Sequence, residues 1–358
     1  MSNYTDHTDH PDREPEDVNE ETVQAPQPDE PEEESMQPEN SAPARPPRRS
    51  AAKAVTIILL ALIAIAALAI TLFGKRDGPL PTWQELYELA GFTEAPETHA
   101  DQLAVHFIDV GQGDGILIQT PTGETVVIDA GERGNEKKMI SYIKQYGDDT
   151  LEYVVATHPH SDHIGSLDNV IAAFTVRNVV MPRLTQINTP THSFYKDLLT
   201  AVKKSGAKMI SAKPCYTIPL GRGQCTVLSP SVQSEKLNDM SVVLRLDWGE
   251  TSFLFMGDAG VAVEKQLLNG KYAGYLDADV LKVGHHGSGT SSSAMFLKAV
   301  DPRFGVISCG AGNDYGHPHK GTMDKLTKLG TTVLRTDTMG SIRIYSDGRQ
   351  MYTETDNG

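Results

Sequence analysis

Short apolar segments alternate with amphipathic ones from residue 102 onward. The segments "LAVHFIDV" at 103–110 and "LEYVVA" at 151–156 are typical of buried strands, whereas "SFYKDLLTAVKKSGA" at 193–207 repeats apolar residues at helical spacing and contains a glycine near its end. This alternation predicts one mixed α/β domain over 102–358, with helices covering its sheets. The other predicted strands are "GILIQT", "TVVIDAG", "NVVMP", "CTVLSP", "SVVLRL", "TSFLFMGD", "DVLKVGHH", "FGVISCG" and "IRIYS", and the other predicted helices are "NEKKMISYIKQYG", "AVEKQLLNG", "SSAMFLKAV" and "GTMDKLTKLG".

One apolar run stands apart from this alternation. Residues 54–73, "AVTIILLALIAIAALAITLF", are twenty consecutive positions without a charge. At about 1.5 Å per residue, a helix of this length spans roughly the 30 Å of a bilayer core. A cleaved signal peptide is the alternative, but 53 residues precede the run and no small-x-small cleavage site is obvious before "GKRDG". We therefore predict a single transmembrane helix.

The segments on either side of this run predict its orientation. Residues 1–53 are rich in Pro, Glu, Asp, Gln and Ser, which predicts a disordered acidic tail, and they end in a basic stretch next to the membrane. Basic residues favour the cytoplasmic side, so we expect a cytoplasmic N-terminus and an extracytoplasmic domain at the cell membrane. Residues 74–101 are predicted to form a linker with a short helix, for which Thr82 and Glu85 form a capping box.

Charge and cysteine content narrow the possible functions only slightly. The formal net charge is -15, but residues 1–40 contribute 14 acidic residues against one basic residue, so the remainder of the chain is only mildly acidic. That balance excludes nucleic-acid binding driven by overall charge alone. Cys215 and Cys225 could pair in an oxidising compartment and leave Cys309 over, but three free thiols are an equal alternative.

The densest group of ionisable residues follows a predicted strand. Residues 157–165 read "THPHSDHIG", in which His158, His160, Asp162 and His163 form the pattern H-x-H-x-D-H. Four such side chains at the end of a buried strand are costly without a partner, and divalent metal ions satisfy all of them. The first two imidazoles can reach one ion while Asp162 and His163 reach a second one nearby. The pattern predicts a two-metal site, with surface histidines on a turn as the alternative.

This motif and three other segments resemble the metallo-β-lactamase superfamily over nearly all of 102–358. The resemblance implies a metallo-β-lactamase-like αββα sandwich with its metals at strand ends. It also implies that Asp129 in "VVIDAG" orients a histidine ligand from behind and that Asp258 in "FLFMGDA" bridges the two metals. Either His285 or His286 in "DVLKVGHHGS" would complete the second metal site. Two divalent ions are expected, zinc or alternatively manganese or iron, and no organic cofactor.

A narrower resemblance is to the hydrolase domain of ComEC-type competence proteins and their free-standing relatives. It is carried by "FIDVGQGDGILIQT", "NDMSVVLRL", "LKVGHHGS" and "NDYGHPH" together. It implies a phosphodiesterase or nuclease that uses a metal-activated water, with Asp162 and His317 as catalytic residues. His317 would donate a proton or contact a phosphate, with a structural loop histidine as the alternative. Asp114 in "GQGD" is expected to support the ligands.

The chain departs from these families in two ways. It has one predicted membrane helix in place of the multi-span channel of the full competence protein, so DNA transport by this chain alone is not expected. The superfamily also supplies a histidine between the first cluster and Asp258, whereas the only histidine from 164 to 257 is His192, at a predicted helix start. Asn238 and Ser241 stand near the expected place and are taken as supporting residues. One metal is therefore expected to have fewer protein ligands.

The sequence leaves several substrates and partners open. Extracellular nucleic acid is the first hypothesis, and a cell-envelope phosphodiester such as a choline or teichoic-acid linkage is the second. A non-catalytic receptor with the same fold is a third. Four basic residues near the late motifs could line a groove for nucleic acid, or they could simply face solvent. These are Lys282, Lys298, Arg303 and Lys320.

Overall fold

The computed structural model describes residues 64, 65, 67 and 68 and residues 101–357. The predicted tail at 1–53, most of the predicted transmembrane run and nearly all of the predicted linker lie outside these residues. Among the residues described, no helix combines the length and the apolar character needed to cross a bilayer.

Strands in the described part of the chain form two sheets. One sheet has eight strands in the order β15-β14-β1-β2-β3-β4-β5-β6, and the other has seven in the order β13-β12-β11-β10-β9-β8-β7. Numbered along the chain, they are β1 (Leu103–Phe107), β2 (Gly115–Gln119), β3 (Thr125–Ala130), β4 (Thr150–Val155), β5 (Thr175–Met181), β6 (Lys208–Ser211), β7 (Thr217–Leu220), β8 (Gly223–Ser229), β9 (Val243–Trp248), β10 (Thr251–Phe255), β11 (Val280–Lys282), β12 (Phe304–Ile307), β13 (Thr332–Arg335), β14 (Ile342–Ser346) and β15 (Met351–Thr355).

The inner faces of the two sheets form the central core. Val105 and Phe107 of the first sheet and Leu244, Phe253 and Phe255 of the second belong to one cluster of buried side chains. The rings of Phe107 and Phe255 lie 6.2 Å apart between centroids. Burial of each such side chain contributes about 2 to 3 kcal/mol. The central strands are apolar on both faces, as expected for strands that are covered by helices on the other side.

Helices cover the outer face of each sheet, which gives an αββα sandwich. The first four pack on the first sheet through residues such as Met139, Val170 and Leu198. The later ones pack on the second sheet through residues such as Val263 and Phe296. The helices are α1 (Glu136–Tyr146), α2 (Ser161–Ile164), α3 (Leu167–Ala173), α4 (Ser193–Ser205), α5 (Val261–Asn269), α6 (Ala294–Val300), α7 (Lys320–Leu329) and α8 (Thr336–Met339).

Elements that the hydrophobic pattern missed are short or lie at sheet edges. Strand β6 is exposed or half-buried throughout, and β15 is mostly exposed, so neither carries a run of buried positions. Strands β7 and β13 have four residues each, and α3 has only seven. Such lengths are too short for a clear period. The predicted segments from "LAVHFIDV" to "IRIYS" all contain an observed strand.

The sheet order gathers four chain segments at one edge of the sandwich. Strands β3 and β4 are parallel neighbours, and so are β10 and β11. Parallel neighbours end on the same side of a sheet. Asp129, near the end of β3, therefore lies beside the segment that follows β4. Asp258 likewise lies beside the segment that follows β11.

Candidate metal centre

The histidine motif occupies the turn between β4 and a one-turn helix. His158 and His163 are almost fully buried, whereas Asp162 has a side chain that is 21% exposed. His160 lies in extended conformation just before α2, and the backbone N–H groups of His163 and Ile164 donate to its carbonyl. This tight turn points all four side chains of the motif toward the same cavity.

The turn after β10 delivers Asp258. Gly257 has φ +50°, and a methyl group added there would lie 3.2 Å from the Ser241 side chain, so the chain needs glycine at this bend. The backbone N–H of Asp258 donates to Ser241 Oγ at 3.1 Å. Ser241 therefore positions the residue that carries the central carboxylate of the site.

The turn after β11 delivers His285 and His286 in an unusual conformation. Both have positive φ, 51° and 54°, which is rare for residues with a Cβ. Their rings are 6.1 Å apart between centroids with planes at 68°. His286 is buried and the side chain of His285 is 24% exposed. Two consecutive histidines thus reach into the cavity from different directions.

These segments form two groups of possible ligands that share Asp258. One group contains Asp162, His163, Asp258 and His286, and the other contains His158, His160 and Asp258. Within the first group, Asp258 Oδ1 lies 3.2 Å from His163 Nε2 and 3.4 Å from His286 Nε2. Within the second, His158 Nε2 lies 3.0 Å from His160 Nδ1. Of His285 and His286, it is therefore His286 that lies in the group of Asp162.

The donor atoms fit a divalent cation. Among the described residues, His163 Nε2, His286 Nε2 and Asp258 Oδ1 are buried without a hydrogen-bond partner, although they face one another. Unpartnered buried polar atoms are costly and rare. Ligand atoms about 2.0 to 2.1 Å from a tetrahedral ion are about 3.3 Å apart, which is close to the separations found here. A divalent ion would satisfy all three atoms at once.

The electrostatics differ between the two ligand groups. Burial opposes ionisation of Asp258, but His163 and His286 hold the pKa of its carboxyl well below its usual range. Burial also opposes protonation of His286, yet Asp258 and Asp114 raise its pKa to about 10. The pKa of His163 is likewise raised by the surrounding carboxylates against the effect of burial. Positive charge is therefore favoured at the second ligand group, whereas burial lowers the pKa of His158, His160 and His285 at the first.

Two residues behind the ligands fix the orientation of His163. Asp129 Oδ2 lies 2.7 Å from His163 Nδ1, which leaves Nε2 directed at Asp258. The backbone N–H of Thr157 donates to Asp129 Oδ1 at 2.8 Å, and its hydroxyl donates to Asp129 Oδ2 at 2.5 Å. Sequence reasoning did not single out Thr157. Its position directly before the histidine motif is the only signal that could have done so.

Asp114 lies behind His286 and contacts a buried lysine. Lys282 Nζ is 2.8 Å from Asp114 Oδ1, and His286 Nδ1 is 3.4 Å from the same oxygen. His286 Nδ1 also lies 2.9 Å from the carbonyl of Ser308. Burial raises the pKa of Asp114, but Lys282 and His286 outweigh it and hold the pKa below its usual range. The inclusion of Lys282 in an exposed basic groove was therefore wrong, because this side chain is fully buried in the interior.

The other three basic residues of that groove do not line the cavity. Lys298, Arg303 and Lys320 are all exposed. The Lys320 ammonium pairs with Asp324 at 2.7 Å, and the Arg303 guanidinium lies over the Phe304 ring at 4.8 Å. These contacts are those of solvated surface residues.

A cleft of about 450 Å³ opens over the two ligand groups. His317 lies in its wall, with its ring 6.1 Å from that of His286 and 5.6 Å from that of His285. Asn313 fixes the loop, because its side chain accepts from the His317 N–H at 2.9 Å and donates to the His317 carbonyl at 2.7 Å. Burial, with the neighbouring histidines, lowers the pKa of His317 to about 4.

The remaining predicted residues occupy the rim of the cleft or lie away from it. Asn238 lines the cleft, with Nδ2 3.4 Å from His285 Nε2. His192 also lines the cleft and stacks on Phe194 at 5.3 Å, but it belongs to neither ligand group. The cysteines are free: Cys225 is buried in the core, and Cys215 is exposed.

Comparison with known proteins identifies the family to which this chain belongs. Residues 108–311 match the Metallo-beta-lactamase superfamily. The chain is 30% identical over 257 residues to ComE operon protein 3 of Bacillus subtilis, covering 67% of this chain and 32% of that protein. It is 30% identical over 281 residues to Competence protein ComA of Neisseria gonorrhoeae, covering 77% of this chain and 37% of that protein. It is also 30% identical over 246 residues to Recombination protein 2 of Haemophilus influenzae, covering 67% of this chain and 28% of that protein.

The chain spans about a third of the length of these relatives. The predicted resemblance is confirmed at the level of the family, because the matched region contains the histidine motif, Asp258 and both late histidines. On the evidence of this match and of the two-sheet architecture, the chain belongs to the metallo-beta-lactamase superfamily, and competence proteins of the ComEC type are among its relatives.

Proposed function

We propose that this protein is a membrane-anchored, metal-dependent hydrolase of phosphodiester bonds. The observation that carries the proposal is the pair of ligand groups that share Asp258 at the bottom of an open cleft. Two cations held side by side by a bridging carboxylate suit the displacement reactions of phosphate esters. A β-lactamase activity is not proposed, since the histidine expected between the motif and Asp258 is missing.

The proposed ligands form two sites that share Asp258. His158, His160 and Asp258 would hold the first ion, and Asp162, His163, Asp258 and His286 would hold the second. Nitrogen and carboxylate donors without a thiolate accept zinc, manganese or iron. We propose zinc, with manganese as the alternative.

The residues around the ions would bind and orient the substrate. When bound, the ions would lower the pKa of a water molecule and neutralise charge on a phosphate group. His317 lies over this position, and its Nδ1 is buried without a partner among the described residues. Because the low pKa leaves His317 neutral at pH 7, we favour a hydrogen bond from its ring to a phosphate oxygen over proton donation.

Nucleic acid outside the cell is the proposed substrate. Two of the relatives named above are a competence protein and a recombination protein by name. The cleft is lined by the aromatic rings of Phe194 and Tyr315, which are suitable surfaces for stacking a base. The predicted membrane helix at 54–73 would hold the domain on the outer side of the cell membrane, where such nucleic acid is found.

A cell-envelope phosphodiester is the second candidate. One observation favours it: the described residues that line the cleft include neither lysine nor arginine, the residues that normally track a nucleic-acid backbone. The same aromatic rings could contact the quaternary ammonium group of a choline. This candidate would keep the metal sites and the reaction and change only the substrate.

Hydrolysis assays with the full chain test the proposal. The substrates are single-stranded DNA, RNA, bis-p-nitrophenyl phosphate, p-nitrophenyl phosphorylcholine and a penicillin, with metal content measured in parallel. We expect metal-dependent cleavage of phosphodiesters and none of the penicillin. His160→Ala and Asp162→Ala should abolish cleavage, whereas Asp197→Ala, at an exposed ion pair with Arg133, should not. Stoichiometric metal without turnover on any phosphodiester would contradict the proposal and favour a receptor.

A further inference from the structure

The two carboxylate oxygens of Asp258 face different histidines. Oδ1 faces His163 and His286, the histidines of the second site. Oδ2 lies 3.7 Å from His158 Nε2 and 3.5 Å from His285 Nε2. We infer that His285 is a ligand of the first ion, an inference that rests on the proposed two-metal function. His285 would replace the histidine that the superfamily supplies from another part of the chain.

The first site needs such a ligand. As grouped by distance it has two histidines and one carboxylate, whereas the second site has two histidines and two carboxylates. The one histidine between the motif and Asp258 is His192, which is exposed at the start of α4. His285 lines the same cleft as His160, Asp258 and Asn238. Because its Nε2 lies 3.5 Å from Asp258 Oδ2, His285 is placed to complete the first site.

The hydrogen bonds of His285 leave its Nε2 free to bind a metal. Its Nδ1 lies 3.0 Å from Thr290 Oγ1, and its backbone N–H donates to the Gly257 carbonyl at 2.9 Å. With the ring proton on Nδ1, the Nε2 lone pair faces Asp258 Oδ2. Asn238 Nδ2, 3.4 Å away, makes only a long contact with Nε2, which a bound ion would displace. Metal-binding histidines commonly have such a partner on the other ring nitrogen, which fixes the tautomer.

The backbone explains how neighbouring residues can serve different ions. Left-handed conformation costs roughly 1 kcal/mol or more for each residue with a Cβ, and here it occurs twice in succession. In an extended strand, consecutive side chains would point to opposite faces of the sheet, and only one could reach the cavity. The left-handed pair instead brings both rings to Asp258, one at each oxygen. A simple structural turn would not require two histidines in this conformation.

The separations from Asp258 Oδ2 fit ligands of one tetrahedral ion at the first site. Ligand atoms on such an ion are about 3.3 Å apart. The separations of Asp258 Oδ2 from His285 Nε2 and from His158 Nε2 are 3.5 and 3.7 Å, and His158 Nε2 lies 3.0 Å from His160 Nδ1. His285 lies outside the group of donors within 4.8 Å of one another, so its ring would have to move toward His158 and His160 to give the first ion four protein ligands.

Metal content of the full chain tests the inference without any need for turnover. His285→Asn is the main variant, because asparagine tolerates left-handed conformation better than alanine. Each protein is equilibrated with limiting zinc in the presence of a competing chelator, and bound zinc is measured by mass spectrometry. We expect His285→Asn to lower bound zinc from about two equivalents to about one, and we expect the same of His160→Ala. His317→Ala, in the same cleft, and His192→Ala, at its rim, should both retain two.

Double variants identify which ion His285 holds. If His285 and His160 serve the same ion, their double variant should still bind about one equivalent, whereas His285→Asn with His163→Ala should bind almost none. Circular dichroism of each variant checks that it is folded. Two equivalents in a folded His285→Asn protein would overturn the inference, as would an additive loss with His160→Ala. A zinc content that behaves as expected in a protein without hydrolase activity would support the inference while contradicting the proposed function.

Discussion

Lys282 Nζ lies 2.8 Å from Asp114 Oδ1, and both side chains are buried at the back of the candidate metal centre. Lys282 is the last residue of β11, and Asp114 lies in the loop before β2, so the pair links the two sheets behind His286. The backbone N–H of Asp114 also donates to the Asp162 carbonyl at 3.1 Å. One buried ion pair therefore connects ligands from two separate motifs.

Removing one partner of this pair should be strongly destabilising. Lys282→Met leaves the Asp114 carboxylate buried with a weaker set of partners, and we expect a loss of about 3 to 5 kcal/mol in the free energy of unfolding. Adding Asp114→Asn should recover part of that loss, because no unpaired charge remains. Urea denaturation of the single and double variants measures the coupling. Additive losses would contradict a direct interaction between the two side chains.

A matched pair of glycine variants tests the close approach of the "GQGD" loop to the histidine motif. A methyl group at Gly113 would lie 2.1 Å from the Asp162 carbonyl oxygen, so Gly113→Ala should displace Asp162. We expect at least a tenfold loss of zinc affinity at the second site. Gly111 also has positive φ, but a methyl group there would meet no atom within 4 Å, so Gly111→Ala should cost only about 1 kcal/mol of stability. Equal zinc affinity in the two variants would rule out this role for the Gly113 contact.

Thr157 should influence metal binding through Asp129 and His163. Thr157→Val removes the hydroxyl that donates to Asp129 Oδ2 while keeping the shape of the side chain. We expect zinc affinity to fall about 10- to 100-fold, as is usual when a residue behind a metal ligand is changed. Thr157→Ser keeps the hydroxyl and should stay within a few-fold of the wild type. Chelator competition measures both, and unchanged affinity in Thr157→Val would contradict the proposed orientation of His163.

His106 should make the protein less stable in acid, independently of the metal centre. It is buried beside Tyr142 and Tyr146, and burial together with Arg343 lowers its pKa to about 3. The unfolded chain, with a pKa near 6.5, binds this proton more readily, so stability falls as the pH drops from about 6.5 toward 3. Between pH 7 and pH 5 this group should contribute a loss of about 2 kcal/mol. His106→Phe should lessen the pH dependence by that amount in urea denaturation, and an unchanged slope would show that another group is responsible.

Most of the candidate ligands could be predicted from the sequence because they are close together along the chain. The H-x-H-x-D-H spacing places His158, His160, Asp162 and His163 within one turn, so local geometry alone gathers them. Asp258 could be found only through the family resemblance, because an aspartate after a glycine is more often a turn residue. The central strands could be predicted from local sequence as well, because each is a run of consecutive apolar residues, which indicates burial.

The features that the sequence did not predict depend on three-dimensional packing. The distinction between His285 and His286 depends on the left-handed backbone of both residues, which no spacing rule anticipates. Lysine is rarely buried, so the sequence predicts Lys282 at the surface, and only the position of Asp114 explains its burial. The edge strands β6 and β15 lack an apolar period because one side of each strand faces solvent.

The most direct test of the central claim is a metal titration of phosphodiesterase activity. The full chain is stripped with a chelator, and hydrolysis of bis-p-nitrophenyl phosphate is followed as zinc or manganese is added back, beside Asp258→Asn. We expect no activity in the stripped protein, recovery that saturates at about two equivalents, and no recovery in Asp258→Asn, because one carboxylate serves both ions. Hydrolysis that persists after stripping, or full recovery in Asp258→Asn, would contradict two-metal hydrolysis.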